Sequence, residues 1–224
     1  MLDDDPEALA AEFAGELGRL ESPGVEALRA VRKEWTARMR DESGAEVLAV
    51  ALALVPQHRW VAYELVYHHG GASAALDAEI VERLGEGMAS WVDVDTFGRY
   101  ISGPAWQADL IDDSLVTGWA ESSDRWWRRA ALVSTVPLNL RAAGGTGDTP
   151  RTLAVCEALV HDRDDMVVKA LSWALRQLSQ WDPDAVRDFL ARHGEDVAAR
   201  VRREVRHKLE TGRKHKAQGK RSPA

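Results

Sequence analysis

The chain has 224 residues, of which 45% are hydrophobic and 29% are charged, and its formal net charge is −7. This composition excludes a disordered or collagen-like chain, and the length is sufficient for one domain with a hydrophobic core. No apolar run reaches the ~18 residues of a transmembrane helix, and the acidic start lacks the basic and apolar regions of a signal peptide. The single cysteine, Cys156, excludes an internal disulfide and a cysteine-based zinc cluster. We therefore expect a cytoplasmic protein.

The charges are distributed unevenly along the chain. Residues 1–24 carry seven acids against Arg19 alone, whereas residues 200–224 carry ten bases against two acids. A basic segment of this kind indicates a polyanionic partner, although basic tails are also common on other soluble proteins. Because residues 211–224 have no apolar periodicity, we predict one folded domain over 1–210 and a basic disordered tail over 211–224.

Apolar residues recur at helical spacing through the domain. Leu28, Val31 and Trp35 lie three and four residues apart, and Leu171 and Leu175 follow the same pattern. The alternation typical of strands is absent over six or more residues, and turn residues interrupt the chain at short intervals. The pattern predicts about a dozen helices of roughly 10 to 17 residues, with one longer loop over 144–149. The fold class that we predict is all-α, an α-solenoid of antiparallel helix pairs.

Common catalytic and ligand-binding motifs are missing from the sequence. The glycine-containing stretch 142–150 lacks the lysine of a P-loop, and neither His-Glu-x-x-His nor Gly-x-Ser-x-Gly occurs. His68 and His69 are adjacent, so on a helix their side chains would diverge by about 100° and could not share a metal ion. We expect no metal and no cofactor.

Nine tryptophans are unusual for this length, and we assign four of them to the core, namely Trp35, Trp60, Trp106 and Trp119. Trp91 and Asp95 are four residues apart, which places an aromatic ring and a carboxylate on the same side of a helix. Asp93 lies about 200° from Asp95 around such a helix, so we expect it to be a solvated or capping acid. An alternative explanation for the segment is that Ser90 caps this helix and that its acids only favour the helix dipole.

Two other tryptophan-containing segments combine aromatic and basic side chains. Lys169, Trp173 and Arg176 form a basic–aromatic–basic stripe at i, i+4 and i+7, a pattern that suits a nucleic-acid backbone. Residues 125–129, Arg-Trp-Trp-Arg-Arg, open a helix whose N-terminus would itself attract phosphate.

These segments resemble the AlkD-like DNA alkylation-repair glycosylases of the HEAT-repeat superfamily. The resemblance covers roughly residues 25–209 and is strongest in VVKALSWALRQLSQWDPDAVRDFL (167–190), WWRRAAL (126–132), SWVDVDTF (90–97) and VRREVRHKL (201–209). Two features differ from the family pattern. Val92 stands where an acid is usual, and no Tyr-Met or Phe-Leu-Gly counterpart lies between Phe13 and Val25.

The resemblance implies HEAT-like repeats with a concave DNA-binding face and no need for a pocket that encloses the flipped base. It implies that Asp95 is catalytic, that Trp91 and Trp173 contact the substrate, and that Arg129 supports backbone binding. Lys169 and Arg176 are expected to bind the backbone as well. The expected partner is double-stranded DNA with alkylated purines, bound by a monomer, with no membrane and with a nucleoid-associated location in a bacterium.

The resemblance also implies an activity, the hydrolysis of the N-glycosidic bond of cationic N3- or N7-alkylated purines. An alternative is a catalytically silent HEAT-repeat module that recognises DNA shape or branched structures. Asp95 distinguishes the two, since a silent binder has no need of an acid that faces phosphates. A protein-binding solenoid is a third interpretation, and it would not require the stripe of Lys169, Trp173 and Arg176.

Overall fold

A computed structural model describes residues 5–21 and 24–213, and within these residues the chain is all-helical, without a β-strand. The predicted all-α class is confirmed. The helices are α1 (Pro6–Gly18), α2 (Val25–Arg38), α3 (Gly44–His68), α4 (Gly70–Ala74), α5 (Ala78–Gly85), α6 (Trp91–Phe97), α7 (Gly103–Gln107), α8 (Asp113–Ala120), α9 (Arg125–Leu138), α10 (Thr149–Ala158), α11 (Asp165–Leu178), α12 (Pro183–His193) and α13 (Ala199–Thr211). A π-helix, Gly98–Ser102, joins α6 to α7, and a short 3₁₀ helix, Arg141–Ala143, follows α9.

Helices that follow one another along the chain pack side by side. α3 contacts α1, α2 and α4, while α9 contacts α6, α7, α8 and α11, and α11 in turn contacts α13. One core of buried apolar side chains runs through all of them. This order of contacts is consistent with the predicted α-solenoid, whereas the concave DNA-binding face remains a prediction.

Polar side chains fix where many of the helices begin. The N-cap side chain accepts a backbone N–H bond at several helix starts that are marked by a serine or an aspartate in the sequence, namely Asp5, Ser43, Asp77, Ser90, Asp124, Asp148, Asp164 and Asp182. Each such bond satisfies an otherwise unpaired donor of the first turn and contributes about 1 kcal/mol. The predicted loop at 144–149 is confirmed, since α10 begins at Thr149.

The predicted range of helix lengths is wrong at both ends. α3 has 25 residues and α4 has five. Pro56 lies inside α3, which continues past it and bends at His58, whose backbone is non-helical (φ −138°, ψ 51°). α6 has seven residues because its axis continues into the π-helix rather than ending in a turn.

The tryptophans that were assigned to the core are mostly buried as predicted. Trp35, Trp106 and Trp119 are at most 5% exposed, and each indole N–H donates to a carboxylate, that of Glu16, Asp113 and Glu82 respectively. Trp60 is instead half-buried, with the guanidinium of Arg29 stacked over its ring.

We predicted a basic tail over 211–224, and residues 214–224 of that tail lie outside the described residues. In the part of the chain that is described, no helix is both long enough and apolar enough to cross a membrane.

α9 is the central helix of the fold. Every residue from Arg129 to Leu138 is buried, as is typical of a helix that is covered on all sides. The π-helix approaches it closely at Gly98, where an added Cβ would stand 2.6 Å from Cγ1 of Val133. Next to this contact, the buried hydroxyls of Ser102 and Ser134 are hydrogen-bonded at 2.6 Å. The spacing between α6 and α9 therefore depends on a residue without a side chain at position 98.

Gly98→Ala should lower the free energy of unfolding by about 1–3 kcal/mol, because the added methyl group must displace Val133 in a packed core. Gly15→Ala is the matched control, since nothing lies within 4 Å of the position that its Cβ would occupy in α1. That change should raise stability by roughly 0.5–1 kcal/mol through helix propensity. Urea unfolding of both variants measures the difference, and equal stability in the two would contradict the close contact.

Candidate active site around Asp95

The two aspartates of α6, Asp93 and Asp95, have different roles, and Asp93 belongs to the start of the helix. The Asp93 carboxylate accepts hydrogen bonds from the backbone N–H groups of Ala89 and Ser90 at 3.1 and 3.0 Å. The Ser90 hydroxyl accepts one from the backbone N–H of Asp93 at 3.2 Å. These bonds form a capping box, so the prediction that Asp93 is a capping acid is confirmed.

Trp91 is the first residue of α6 and is unusually exposed, with 55% of its surface in contact with solvent. Val92 beside it is 43% exposed, whereas Val94 is fully buried. An exposed tryptophan next to an exposed valine is an apolar surface without a covering partner among the described residues. Asp95 lies one helical turn after Trp91 and therefore on the same side of the helix.

Asp95 is held by an arginine from the central helix. Nε and Nη2 of Arg129 donate to the same carboxylate oxygen, Oδ1, at 3.0 and 2.7 Å. The other oxygen, Oδ2, accepts no hydrogen bond from any residue that the structure describes. Since 21% of the Asp95 side chain is exposed, this carboxylate is fixed on one side and remains open to a ligand on the other.

Two opposing effects act on the ionisation of Asp95. Burial raises the pKa of its carboxyl, because a charged group loses hydration, while the positive charge and the hydrogen bonds of Arg129 lower it. Burial is the larger effect, and the pKa remains above its ordinary value. Arg129 therefore offsets part of the cost of keeping a carboxylate in a partly apolar site.

Arg129 itself is buried, which changes the role that was expected for it. Its side chain is 6% exposed, and its third donor, Nη1, bonds to the backbone carbonyl of Met166 in the first turn of α11. All the nitrogens of the guanidinium are thus used within the protein. A direct phosphate contact by Arg129 would need new geometry, and its role in this structure is to position Asp95.

The side chains of Lys169, Trp173 and Arg176, the predicted stripe on α11, differ in how exposed they are. Lys169 is partly exposed and pairs with Asp165 one turn earlier. Trp173 is half-buried against the core. Only 12% of the Arg176 side chain is exposed, and its Nε donates to the Ser172 hydroxyl at 3.1 Å. Of the two bases, Lys169 is therefore the one that is available to a ligand.

The expected phosphate site at the start of α9 is corrected by the structure. Arg125 lies 3.5 Å from Asp164, Arg128 lies 2.7 Å from Asp162, and the N-cap of the helix is Asp124. Carboxylates thus already pair with the arginines of this segment, and only Arg125, whose side chain is 50% exposed, could exchange its partner for a phosphate. Trp127 packs edge-on against Phe97 in the core and is not available for stacking on a base.

Arg99 is a further charged residue of this region, and no motif in the sequence marks it. Arg99 follows Asp95 by four residues, within the π-helix, and its Nη1 is buried without a hydrogen-bond partner among the described residues. π-helical turns are frequent near functional sites. The spacing of four from Asp95 was the available signal, although the π-helix itself could not be recognised from the sequence.

Among the described residues, no group of three or more His, Cys, Asp or Glu side chains is arranged to hold a metal ion. Cys156 is fully buried, and burial raises the pKa of its thiol far above the ordinary value. The side chains of this region that could bind or act on a ligand are thus Asp95, its partner Arg129 and the exposed indole of Trp91.

Comparison with known proteins identifies a family for this chain. The family model described as DNA alkylation repair enzyme matches residues 24–209, a range that includes α6, α9 and α11. No curated protein and no solved structure matched the chain. Because the family model covers most of its length, the chain belongs to the DNA alkylation repair enzyme family.

Proposed function

We propose that this protein is a DNA glycosylase that hydrolyses the N-glycosidic bond of cationic N3- and N7-alkylated purines in double-stranded DNA. The observation that carries the proposal is the state of Asp95, with one oxygen fixed by Arg129 and the other free of hydrogen bonds from the described residues. Family membership supports a role in DNA alkylation repair, and the reaction is inferred from the chemistry of this carboxylate.

The chemistry of the lesion explains why one carboxylate is sufficient. Alkylation at N3 or N7 gives the purine a positive charge, so the base leaves as a neutral molecule and requires no general acid. Positive charge then develops on the deoxyribose, as in the oxocarbenium-like transition state of glycoside hydrolysis. A carboxylate near that sugar stabilises the charge, and its free oxygen can orient the attacking water.

The neighbouring tryptophans suit the same transition state. The face of an indole attracts a cation, and in a desolvated site this contact contributes about 2 kcal/mol. Trp91 presents such a face beside Asp95, and Trp173 on α11 supplies a second, half-buried ring. We infer that the two rings contact the lesion-bearing nucleotide while Lys169 binds the backbone.

Asp95→Asn should remove most of the activity without loss of folding. Single-turnover release of N7-methylguanine from duplex DNA should fall by a factor of about 10² or more, equivalent to roughly 2.7 kcal/mol of transition-state stabilisation. DNA affinity should be retained or rise, because a negative charge near phosphates is removed. Asp93→Asn is the matched control, since its amide oxygen can still accept the capping bonds, and it should stay within about a few-fold of the parent.

Equal loss in the two variants, at melting temperatures close to that of the parent, would show that Asp95 has no special role. If the parent releases no base at all, the catalytically silent DNA-binding module becomes the better account. Both outcomes are decided by the same release assay, with melting curves recorded on the same preparations.

Arg129→Gln should move the acid limb of the pH–rate profile to higher pH. The carboxylate of Asp95 must be ionised to stabilise a cation, and Arg129 lowers its pKa. Loss of that charge raises the pKa further, so a smaller fraction of Asp95 is ionised at any pH on the limb. Arg129→Lys keeps the charge and should return the limb toward that of the parent. An unchanged limb in Arg129→Gln would mean that Arg129 does not control Asp95.

Affinity for duplex DNA should fall steeply with salt, with a log–log slope of about −0.9 for each phosphate neutralised. Lys169→Ala should make the slope shallower by about one unit, since an exposed ion pair such as Lys169–Asp165 exchanges easily for a phosphate. Arg187→Ala on α12, which removes an exposed charge that pairs with Asp184, should leave the slope unchanged. A flat salt response in the parent would contradict backbone-driven binding. Filter binding or fluorescence anisotropy across a salt series measures these slopes.

A further inference from the structure

A cavity of about 570 Å³ lies between α2 and the junction of α3 with α4, away from Asp95 along the chain. Its volume is in the range of roughly 300–1,000 Å³ that is typical of small-molecule sites. The lining residues include three cations, Arg32 and Lys33 from α2 and Arg40 from the turn that follows it. Nothing in the proposed repair reaction uses this cavity.

The cationic side chains of the cavity are only partly neutralised. Lys33 and Arg40 are exposed, and neither lies within ion-pair distance of an acid among the residues that the structure describes. Glu42 is the one acid among the lining residues, against three cations. The cavity thus carries a net positive charge.

Arg32 adds a hydrogen-bond donor to the cavity. Its side chain is 7% exposed, with Nε bonded to Glu64 at 3.3 Å and Nη1 near the Thr36 hydroxyl at 3.5 Å. Its remaining nitrogen, Nη2, has no hydrogen-bond partner among the described residues. A buried guanidinium with an unused donor is suited to an oxyanion, because charge-assisted hydrogen bonds are the strong ones.

The opposite wall supplies a fixed histidine. His69 is 7% exposed, and its Nδ1 accepts a hydrogen bond from the backbone N–H of Ala72 at 3.0 Å. A neutral ring that accepts at Nδ1 carries its proton on Nε2, so the second nitrogen is a donor. Gly70 leaves open space beside it, since nothing lies within 4 Å of the position of an added Cβ.

The charges of the cavity also affect the pKa of His68, another lining residue. Burial lowers the pKa of its imidazole, and the charges of Arg32, Arg29 and Lys33 lower it further, while Glu64 acts in the opposite direction. The cations of α2 thus act on a side chain at the end of α3 as well.

We propose that this cavity binds a phosphate group, held by the charges of Lys33 and Arg40 and by the remaining donors of Arg32 and His69. The phosphate can come from two sources, a phosphodiester of the DNA duplex or a free phosphate anion. The DNA source rests on the proposed function, whereas the free anion does not.

The test compares the full chain with three variants. Lys33→Ala combined with Arg40→Ala removes the two exposed charges, and Gly70→Asp adds a negative charge while it keeps every cation. Arg187→Ala combined with Arg192→Ala is the control, because it removes two exposed charges on α12, far from the cavity in sequence. Binding of inorganic phosphate is measured by calorimetry without DNA, and the salt slope of duplex binding is measured separately.

A free-anion site predicts that the parent binds inorganic phosphate and that both cavity variants weaken it by about tenfold or more, while the control does not. A phosphodiester site predicts instead a DNA salt slope that is shallower by about two units in Lys33→Ala/Arg40→Ala and unchanged in the control. The proposal is overturned if the cavity variants match the control in both measurements.

Failure of this proposal can be distinguished from failure of the proposed function. Base release by the parent is assayed on the same preparation. Release of N7-methylguanine with no effect of the cavity variants refutes the phosphate site alone. Loss of phosphate binding in the variants, together with no base release by the parent, supports the site and refutes the glycosylase.

Discussion

The guanidinium of Arg129 is the group on which the arrangement around Asp95 depends. It bonds to the carboxylate on α6 and to the carbonyl of Met166 at the start of α11, while its own backbone belongs to the central helix α9. One side chain therefore links three helices that are neighbours in space but distant in sequence. The link also solves an electrostatic problem, because a half-buried carboxylate would otherwise be driven toward its neutral form. A carboxylate that stays charged in a partly dry site interacts strongly with a cation that develops beside it.

A second ion pair between helices shows what a purely structural carboxylate looks like in this fold. Glu64 on α3 is 3% exposed, and its two oxygens are both occupied, Oε1 by Arg29 and Oε2 by Arg32. Asp95 is more exposed and uses only Oδ1. Truncation of both arginines of the Glu64 cluster would leave a buried charge uncompensated, as in other buried ion pairs. The free oxygen of Asp95 has no such structural explanation, and it points to a ligand.

Part of this site follows from local sequence rules and part does not. The spacing of four between Trp91 and Asp95, and the capping role of Asp93, depend only on helix geometry and were predicted correctly. The partners of Arg125, Arg128 and Arg129 lie 34 to 39 residues away, so the run of arginines looked like a phosphate site although carboxylates neutralise it. The π-helix at Gly98–Ser102 has no local pattern that predicts it, whereas the bend at His58 lies two residues after Pro56, whose ring disturbs the helical hydrogen bonding. Contacts between helices thus decided what the sequence analysis missed.

The central claim is that ionised Asp95 stabilises positive charge on the deoxyribose, and affinity for a stable mimic of that charge tests it most directly. An enzyme binds an analogue of its transition state more tightly than a neutral analogue of similar shape. Two duplexes are compared, one with a cationic pyrrolidine abasic analogue and one with a neutral tetrahydrofuran analogue at the same position. The account predicts that the parent prefers the cationic duplex, that Asp93→Asn keeps the preference, and that Asp95→Asn loses it. Equal affinity of the parent for both duplexes, or an undiminished preference in Asp95→Asn, would contradict the account.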